Sequence, residues 1–237
     1  MSKFKKILLD GDIIVYRSGF ACKDDEPVEN ALHNVKMAIT NILDKFQGFE
    51  EYHLYLTGSG NFRKDVATIK PYKGNRKPED RPKYYQEIRD YMINVWNAEV
   101  IDGREADDAL GCAQWSDPDR STVIVSIDKD LKMIPGWHYN YVKDTLEDIS
   151  LQEANRMLFW QMLVGDSSDN IPGIDKIGPK TADKLLPLDG TTESWQRTVV
   201  EKYKDQYGSK WKEAYNEVCK LLWMERVHGE DCEYLIW

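Results

Sequence analysis

Cysteine is scarce. Cys22, Cys112, Cys219 and Cys232 are the only four, widely spread and with no CxxC pair. That excludes a disulfide framework and a thiolate zinc site, and it predicts reduced thiols in a cytoplasmic setting. The four histidines likewise lack metal-ligand spacing. No apolar run approaches the roughly 20 residues that span a bilayer. The opening MSKFKKILLDGD has only a few apolar residues before Asp10, so it reads as a first strand and not as a signal peptide. A basic excess is missing too: 32 Lys and Arg stand against 41 Asp and Glu, for a net charge of −9. Repeats and low-complexity tracts are absent as well.

What is present is an alternation of strands and helices. Short apolar runs at 5–9, 52–56, 98–101 and 122–127 read as buried strands, and 139–142 as one more. Helical spacing runs through 28–46, where Val28, Leu32, Val35, Ile39, Ile42 and Phe46 share a face, and through 84–96 and 106–115. Such alternation predicts a mainly parallel α/β sheet with helices on both faces. After residue 150 only helical signals remain. Ser150 and Glu153 form a capping box before a helix over 151–164, and helices follow over 194–207 and 209–224. The expectation is an α/β core over 1–150 and a smaller helical domain over 151–237.

Acids gather where strands end. Asp10 follows the first strand, and Asp128 and Asp130 follow TVIVSI, two apart and able to point to one side. Glu105, Asp107 and Asp108 open a helix. Asp166 and Asp169 lie in LVGDSSDNIPGIDKIGPKTADKLL, residues 163–186. In parallel sheets, sites lie at the carboxyl ends of strands. Each acid alone has a plain reading as a turn or cap residue. Eight together would repel strongly, by about 4 kcal/mol per pair 4 Å apart at a dielectric near 20. Two or more Mg²⁺ or Mn²⁺ ions would resolve that, in an arrangement suited to in-line hydrolysis of a phosphodiester.

Two further stretches fit a phosphate backbone. Residues 70–83 hold six Lys or Arg against two acids, with Tyr72, Lys73 and Arg76 among them. Basic groups pair with phosphates and aromatic rings stack on bases. The glycine-bounded turn 173–178 runs into Pro179-Lys180-Thr181, a backbone cradle before a helix start.

Together ILLDGD, PYKGNR, GREADD, VSIDKD and GDSSDNIPGIDKIGPKTA resemble the 5′-nuclease superfamily of flap endonucleases and 5′→3′ exonucleases, most of all the short bacteriophage exonucleases. The resemblance covers about residues 7–186. It implies a PIN-like nuclease core with a basic arch or clamp over about 61–97, and a helix–three-turn–helix module over about 151–187. It implies that Asp10, Glu105, Asp107, Asp108, Asp128, Asp130, Asp166 and Asp169 are metal-site acids. Lys73 and Arg76 would contact the scissile phosphate, and Arg17 another phosphate. Gly173, Lys176, Gly178, Lys180 and Thr181 would hold duplex backbone, with K⁺ on main-chain carbonyls there. The expected substrate is DNA with a 5′ end or 5′ flap, or an RNA/DNA hybrid. A monomer with no membrane association is expected.

One departure stands out. Relatives carry an acid after the second strand, where this chain has Gly58 and Ser59. Asp12 or a water would fill the place. Two other readings exist. The hhhhDxD pattern of ILLDGDIIV suggests a haloacid-dehalogenase-type phosphatase with Asp10 as nucleophile and Asp12 as acid/base. It leaves GIDKIGPKTA unexplained. The loss at Gly58 suggests a DNA-binding protein with a decayed site.

Overall fold

A computed structural model describes residues 3–230 together with Cys232 and Leu235. Six strands form one sheet: β1 (Lys6–Asp10), β2 (Glu51–Thr57), β3 (Glu99–Ile101), β4 (Thr122–Val125), β5 (Gly136–Asn140) and β6 (Thr145–Ile149). Their order is β3-β2-β1-β4-β5-β6, parallel except for β6, which pairs antiparallel with β5. The chain leaves β1 towards β2 and later returns to the other side of β1 as β4. The switch point therefore lies between β1 and β4, where a crevice opens at the carboxyl ends of the strands.

Each sheet face has its own cover. Ile7 and Leu9 pack with Val123 and Val125 against α1 (Gly11–Phe20), α2 (Val28–Asp44) and α4 (Tyr85–Trp96). Leu8 and Ile124 point the opposite way, as strand alternation requires. They join α5 (Ala106–Trp115) and continue without a break into α6 (Leu151–Val164), α8 (Thr192–Tyr207) and α9 (Trp211–Leu222). The apolar cluster on that face thus crosses residue 150. A four-residue helix, α3 (Arg63–Val66), and α7 (Pro179–Leu185) complete the helices described below.

Three elements differ from the sequence expectation. No element is expected between Asp10 and Pro27, where the run Ile13-Ile14-Val15 is β-branched and a poor helix former. It is instead helix α1, started by Asp10, whose Oδ1 accepts the Ile13 N–H at 3.2 Å. Strand β6 is a charged edge with exposed Thr145, Glu147 and Asp148, so it shows no alternation. A hairpin of two two-residue strands, β7 (Gly165–Asp166) and β8 (Ile171–Pro172), interrupts the helical region and is too short to have a period. Among the described residues no helix is long and apolar enough to cross a membrane, and none of the four cysteines forms a disulfide.

His138 in β5 is 8% exposed, and its Nε2 donates to the Ile134 carbonyl at 2.7 Å. Burial pushes its pKa down to about 4. The unfolded chain takes up this proton first, near pH 6.5, so stability is lost as the pH falls from about 6.5 to about 4. The loss amounts to about 3 kcal/mol at 1.36 kcal/mol per unit. Urea titrations at pH 7 and pH 4 should show the parent losing about that much more than His138→Gln. Equal acid sensitivity of the two proteins would refute the assignment.

Candidate functional site

The crevice is built from the sheet first. Asp10 is 2% exposed; the Ser126 hydroxyl donates to its Oδ2 at 2.6 Å. Ser126 also accepts the Asp128 N–H at 2.9 Å, and Asp128 Oδ1 accepts the Asp130 N–H at 2.8 Å. One serine thus ties the end of β1 to the acidic turn after β4. Burial, reinforced by Asp12 and Asp128, pushes Asp10 up to about 7. Burial followed by the charges of Asp10, Glu105 and Asp128 pushes Asp107 well above the usual carboxylate range. Asp130 is pushed up to about 6, again mainly by burial.

The other wall comes from the helical half. Hairpin β7–β8 holds Asp166 and Asp169 over the crevice. Asp166 Oδ1 accepts from the Ser168 N–H at 2.8 Å and from its hydroxyl at 2.7 Å, closing a tight turn. The basic segment docks on this turn and does not arch freely. Lys73 N–H donates to the Asp169 carbonyl at 2.8 Å, Asn75 to the Ser167 carbonyl at 2.7 Å, and Asn170 to the Pro71 carbonyl at 2.9 Å. Docking brings Lys73 Nζ onto Glu105 and within 3.6 Å of Asp169, while Arg76 bonds Asp169 at 2.5 Å. Burial would lower the Lys73 pKa, but Glu105 and Asp169 outweigh it and the net shift is upward. Asp169 is raised, first by burial.

One pocket is therefore walled by Glu105, Asp107, Asp128, Asp130, Asp166 and Asp169, with Lys73 and Arg76 among them. Asp10 lies behind that wall, near enough for Asp107 to feel its charge. The donor set is carboxylate throughout, which suits a hard divalent cation. Buried acids forced towards the neutral form are what a cation would relieve. Among the described residues, no three His, Cys, Asp or Glu side chains already stand in metal-holding geometry. Lys73 and Arg76 hold two of the acids instead.

Comparison with known proteins was decisive. A 5′-3′ exonuclease of Buchnera aphidicola subsp. Schizaphis graminum is 30% identical over 201 residues, spanning 76% of this chain and 69% of that protein. The chain belongs to the 5′-3′ exonuclease family. A family profile described as "5′-3′ exonuclease, C-terminal SAM fold" matches residues 152–222. DNA polymerase I of Bacillus caldotenax is 29% identical over 224 residues; the match takes in 84% of this chain and 25% of the polymerase. The chain thus spans about a quarter of the length of such polymerase relatives. The fold matches that of the bacteriophage T5 D15 flap endonuclease solved with DNA and metal ions. There the TM-score is 0.57 at 13% identity, covering 92% of this chain and 98% of that one.

Within this family member, Asp108 departs from the expected role. It is fully buried, and Arg63 grips it with Nη1 to Oδ2 at 2.7 Å and Nη2 to Oδ1 at 2.8 Å. The N–H groups of Glu105 and Glu225 each add a bond at 3.0 Å. Each carboxylate oxygen has two donors, so neither is left for a cation. Burial would raise the Asp108 pKa, but the Arg63 pairing wins and holds it below the usual range. Arg63 also donates to the carbonyls of Leu221 and Trp223. It therefore fastens the end of α9 to the start of α5. No local pattern marks Arg63, because its partners are 45 and about 160 residues away in sequence.

Tyr72 is a second correction. It is 6% exposed within the apolar cluster, so its ring cannot stack on a base. Its hydroxyl instead lies 2.8 Å from Asp169 and 3.1 Å from Glu105. At Gly58 a side chain is disfavoured, since a Cβ would sit 2.9 Å from the Ile101 carbonyl oxygen, a backbone atom, and 2.4 Å from Asp102 Oδ1. Asp12 is spoken for too: its oxygens accept the Thr57 N–H at 3.3 and 3.2 Å and face Arg89 at 3.4 Å. That tether also removes the free acid/base that the phosphatase reading requires.

The glycine turn divides. Gly173 is packed where backbones cross, a Cβ there falling 2.3 Å from the Val164 carbonyl carbon. Close packing accounts for the lack of a side chain at this position. Gly178, by contrast, has nothing within 4 Å and opens α7, beside exposed Lys176, Lys180 and Thr181. Arg17 is exposed on α1, its guanidinium 5.9 Å from the Tyr141 ring and outside the pocket wall.

Arg63→Met should lower the unfolding free energy by about 3–5 kcal/mol, the usual cost of stranding a buried charge. A chemical-denaturation difference under 1 kcal/mol would contradict the reading of Asp108. Gly173→Ala should cost about 1–3 kcal/mol through overpacking, and Gly178→Ala less than about 0.5 kcal/mol. Similar midpoints for the two glycine variants would refute the contrast.

Proposed function

We propose that this chain is a divalent-cation-dependent 5′-nuclease that hydrolyses DNA phosphodiesters at or near a 5′ end, including 5′ flaps. One observation carries the reading. Acids of the sheet and acids of the helical half face each other across one pocket, and two basic side chains, Lys73 and Arg76, sit between them. Asp10, Glu105, Asp107, Asp128, Asp130, Asp166 and Asp169 would hold Mg²⁺ or Mn²⁺, as two or more ions. Such ions polarise the phosphoryl group and lower the barrier to attack by water.

The chain's own residues then have distinct tasks. Lys73 and Arg76 rest on Glu105 and Asp169 while no phosphate is present. A substrate phosphate offers them an equivalent anion, and cations take over the charge of the acids. From there the two side chains stabilise charge developing on the phosphate. The exposed turn at Gly178, with Lys176, Lys180 and Thr181, would hold duplex backbone, and K⁺ would suit the nearby main-chain carbonyls. Arg17, at the rim, would meet a phosphate further along. The net charge of −9 does not oppose this reading, because the acids concentrated at the site would be offset there by bound cations and whole-chain charge does not describe the binding surface. The division into an α/β core over 1–150 and a helical grip over 151–237 follows the same logic, as does action by a monomer.

The test uses 5′- and 3′-labelled duplex, flap, single-stranded and RNA/DNA hybrid substrates with Mg²⁺, Mn²⁺ or EDTA. Cleavage should require the cation. Lys73→Ala should slow it by about 10²–10³, the effect of removing one donor to a developing anion, and Asp128→Ala should abolish it. Cleavage that survives EDTA, or an unimpaired Asp128→Ala protein, would sink the reading. Tight flap binding without cation-dependent cleavage would instead mark a binding protein. Release of inorganic phosphate from a small phosphomonoester, with DNA intact, would mark a phosphatase.

A further inference from the structure

Gln161 is 1% exposed on α6, on the side that packs towards the acidic turn after β4. Its Nε2 donates to Asp130 Oδ1 at 2.6 Å. Its Oε1 is buried with no hydrogen-bond partner among the described residues, and the residue is part of the lining of the acidic pocket. An amide in such a place is costly where methionine or leucine would fill the same space without an unpaired oxygen. Its neighbours on α6, Leu158 and Met162, are of that apolar kind. Packing does not explain the amide.

Asp130 does. Its Oδ1 receives two donors, Gln161 at 2.6 Å and Lys129 Nζ at 2.8 Å. Its Oδ2 receives none from the described residues. The carboxylate is thus held by one oxygen, with the other left for a ligand. Of the two donors, Lys129 has a side chain 68% exposed, so water competes for it and its hold is loose. Gln161 is sheltered from that competition. It is also a direct side-chain bond from the helical half to a sheet acid.

We infer that Gln161 is a positioning residue of the cation site. It fixes the orientation of Asp130, and its free carbonyl oxygen is an acceptor for water in the pocket. Through it, the position of α6, and with it hairpin β7–β8 carrying Asp166 and Asp169, is registered against the sheet acids. The inference rests on the cation-dependent reading above. Groups that orient a ligand carboxylate in this way typically change metal affinity by about 10–100-fold when removed.

The experiment measures Mn²⁺ binding to the full chain after EDTA stripping, by electron paramagnetic resonance of the free ion, alongside thermal unfolding in EDTA. Gln161→Met removes both polar atoms. Gln161→Asn keeps an amide but draws it back by one methylene, beyond reach of Asp130. Both should weaken at least one Mn²⁺ site by about 10–100-fold, with folding in EDTA preserved. Lys129→Met should weaken it only a few-fold. Mn²⁺ affinity within about twofold of the parent in both Gln161 variants would overturn the inference. So would a loss of affinity seen only when the variants fail to fold in EDTA. A parent protein that binds no Mn²⁺ at all is a different result, since it removes the cation-dependent reading itself.

Discussion

Concentrated negative charge is the constraint on which this structure turns. Six carboxylates line one crevice, and Asp10 and Asp108 lie buried beside it. Repulsion among them is opposed in three ways. Arg63 neutralises Asp108 permanently, in a bidentate pair with no access to water. Lys73 and Arg76 lie on Glu105 and Asp169 at the rim, where a competing anion can draw them off. Among the described residues Asp10 and Asp107 have no cationic partner in direct contact, and burial, followed by neighbouring carboxylates, drives both towards the neutral form.

That division also explains how the two halves of the chain are joined. The apolar cluster runs unbroken from the sheet into α6, α8 and α9. On top of it, polar links cross between the halves, Arg104 to Glu225 and Thr68 to Glu217 among them, and three more bear on the site. Arg63 reaches from the segment after β2 to the end of α9. The 71–76 segment is stitched to the turn carrying Asp166 and Asp169. Gln161 reaches from α6 to Asp130. Burial supplies the adhesion, which is not directional. The hydrogen bonds supply register, because each demands a particular distance and angle. Family membership accounts for the architecture, while these links fix the register of its two halves.

Much of the fold was legible because its signals are local. Helix α2 shows a clean apolar stripe, and α6 announces itself through the Ser150–Glu153 capping box, both bonds of which are made. Strand β4 is buried at every position and β-branched throughout. The elements that escaped notice lack such signals. Helix α1 carries strand-like residues, and tertiary packing with a cap from Asp10 overrides their preference. Strand β6 is an edge, so half of its pattern is never imposed by burial.

For the site, residue type and spacing predicted that acids from separate segments would gather, and six of them line one pocket. Placement on separate segments was enough, because parallel topology brings carboxyl ends of strands together whatever the details. Sequence could not apportion tasks within the group. Asp107 and Asp108 are adjacent and chemically identical, yet one faces the pocket and the other is consumed by Arg63, 45 residues earlier. Tyr72 and Lys73 are adjacent too, one sealed in the core and the other on Glu105. Gly173 and Gly178 bound one motif, but only the first is pressed between backbones. Sequence determines which chemical groups are available. Which of them reach the crevice is decided by long-range contacts, since helix phase, close backbone crossings and distant counter-charges exist only once the chain has folded.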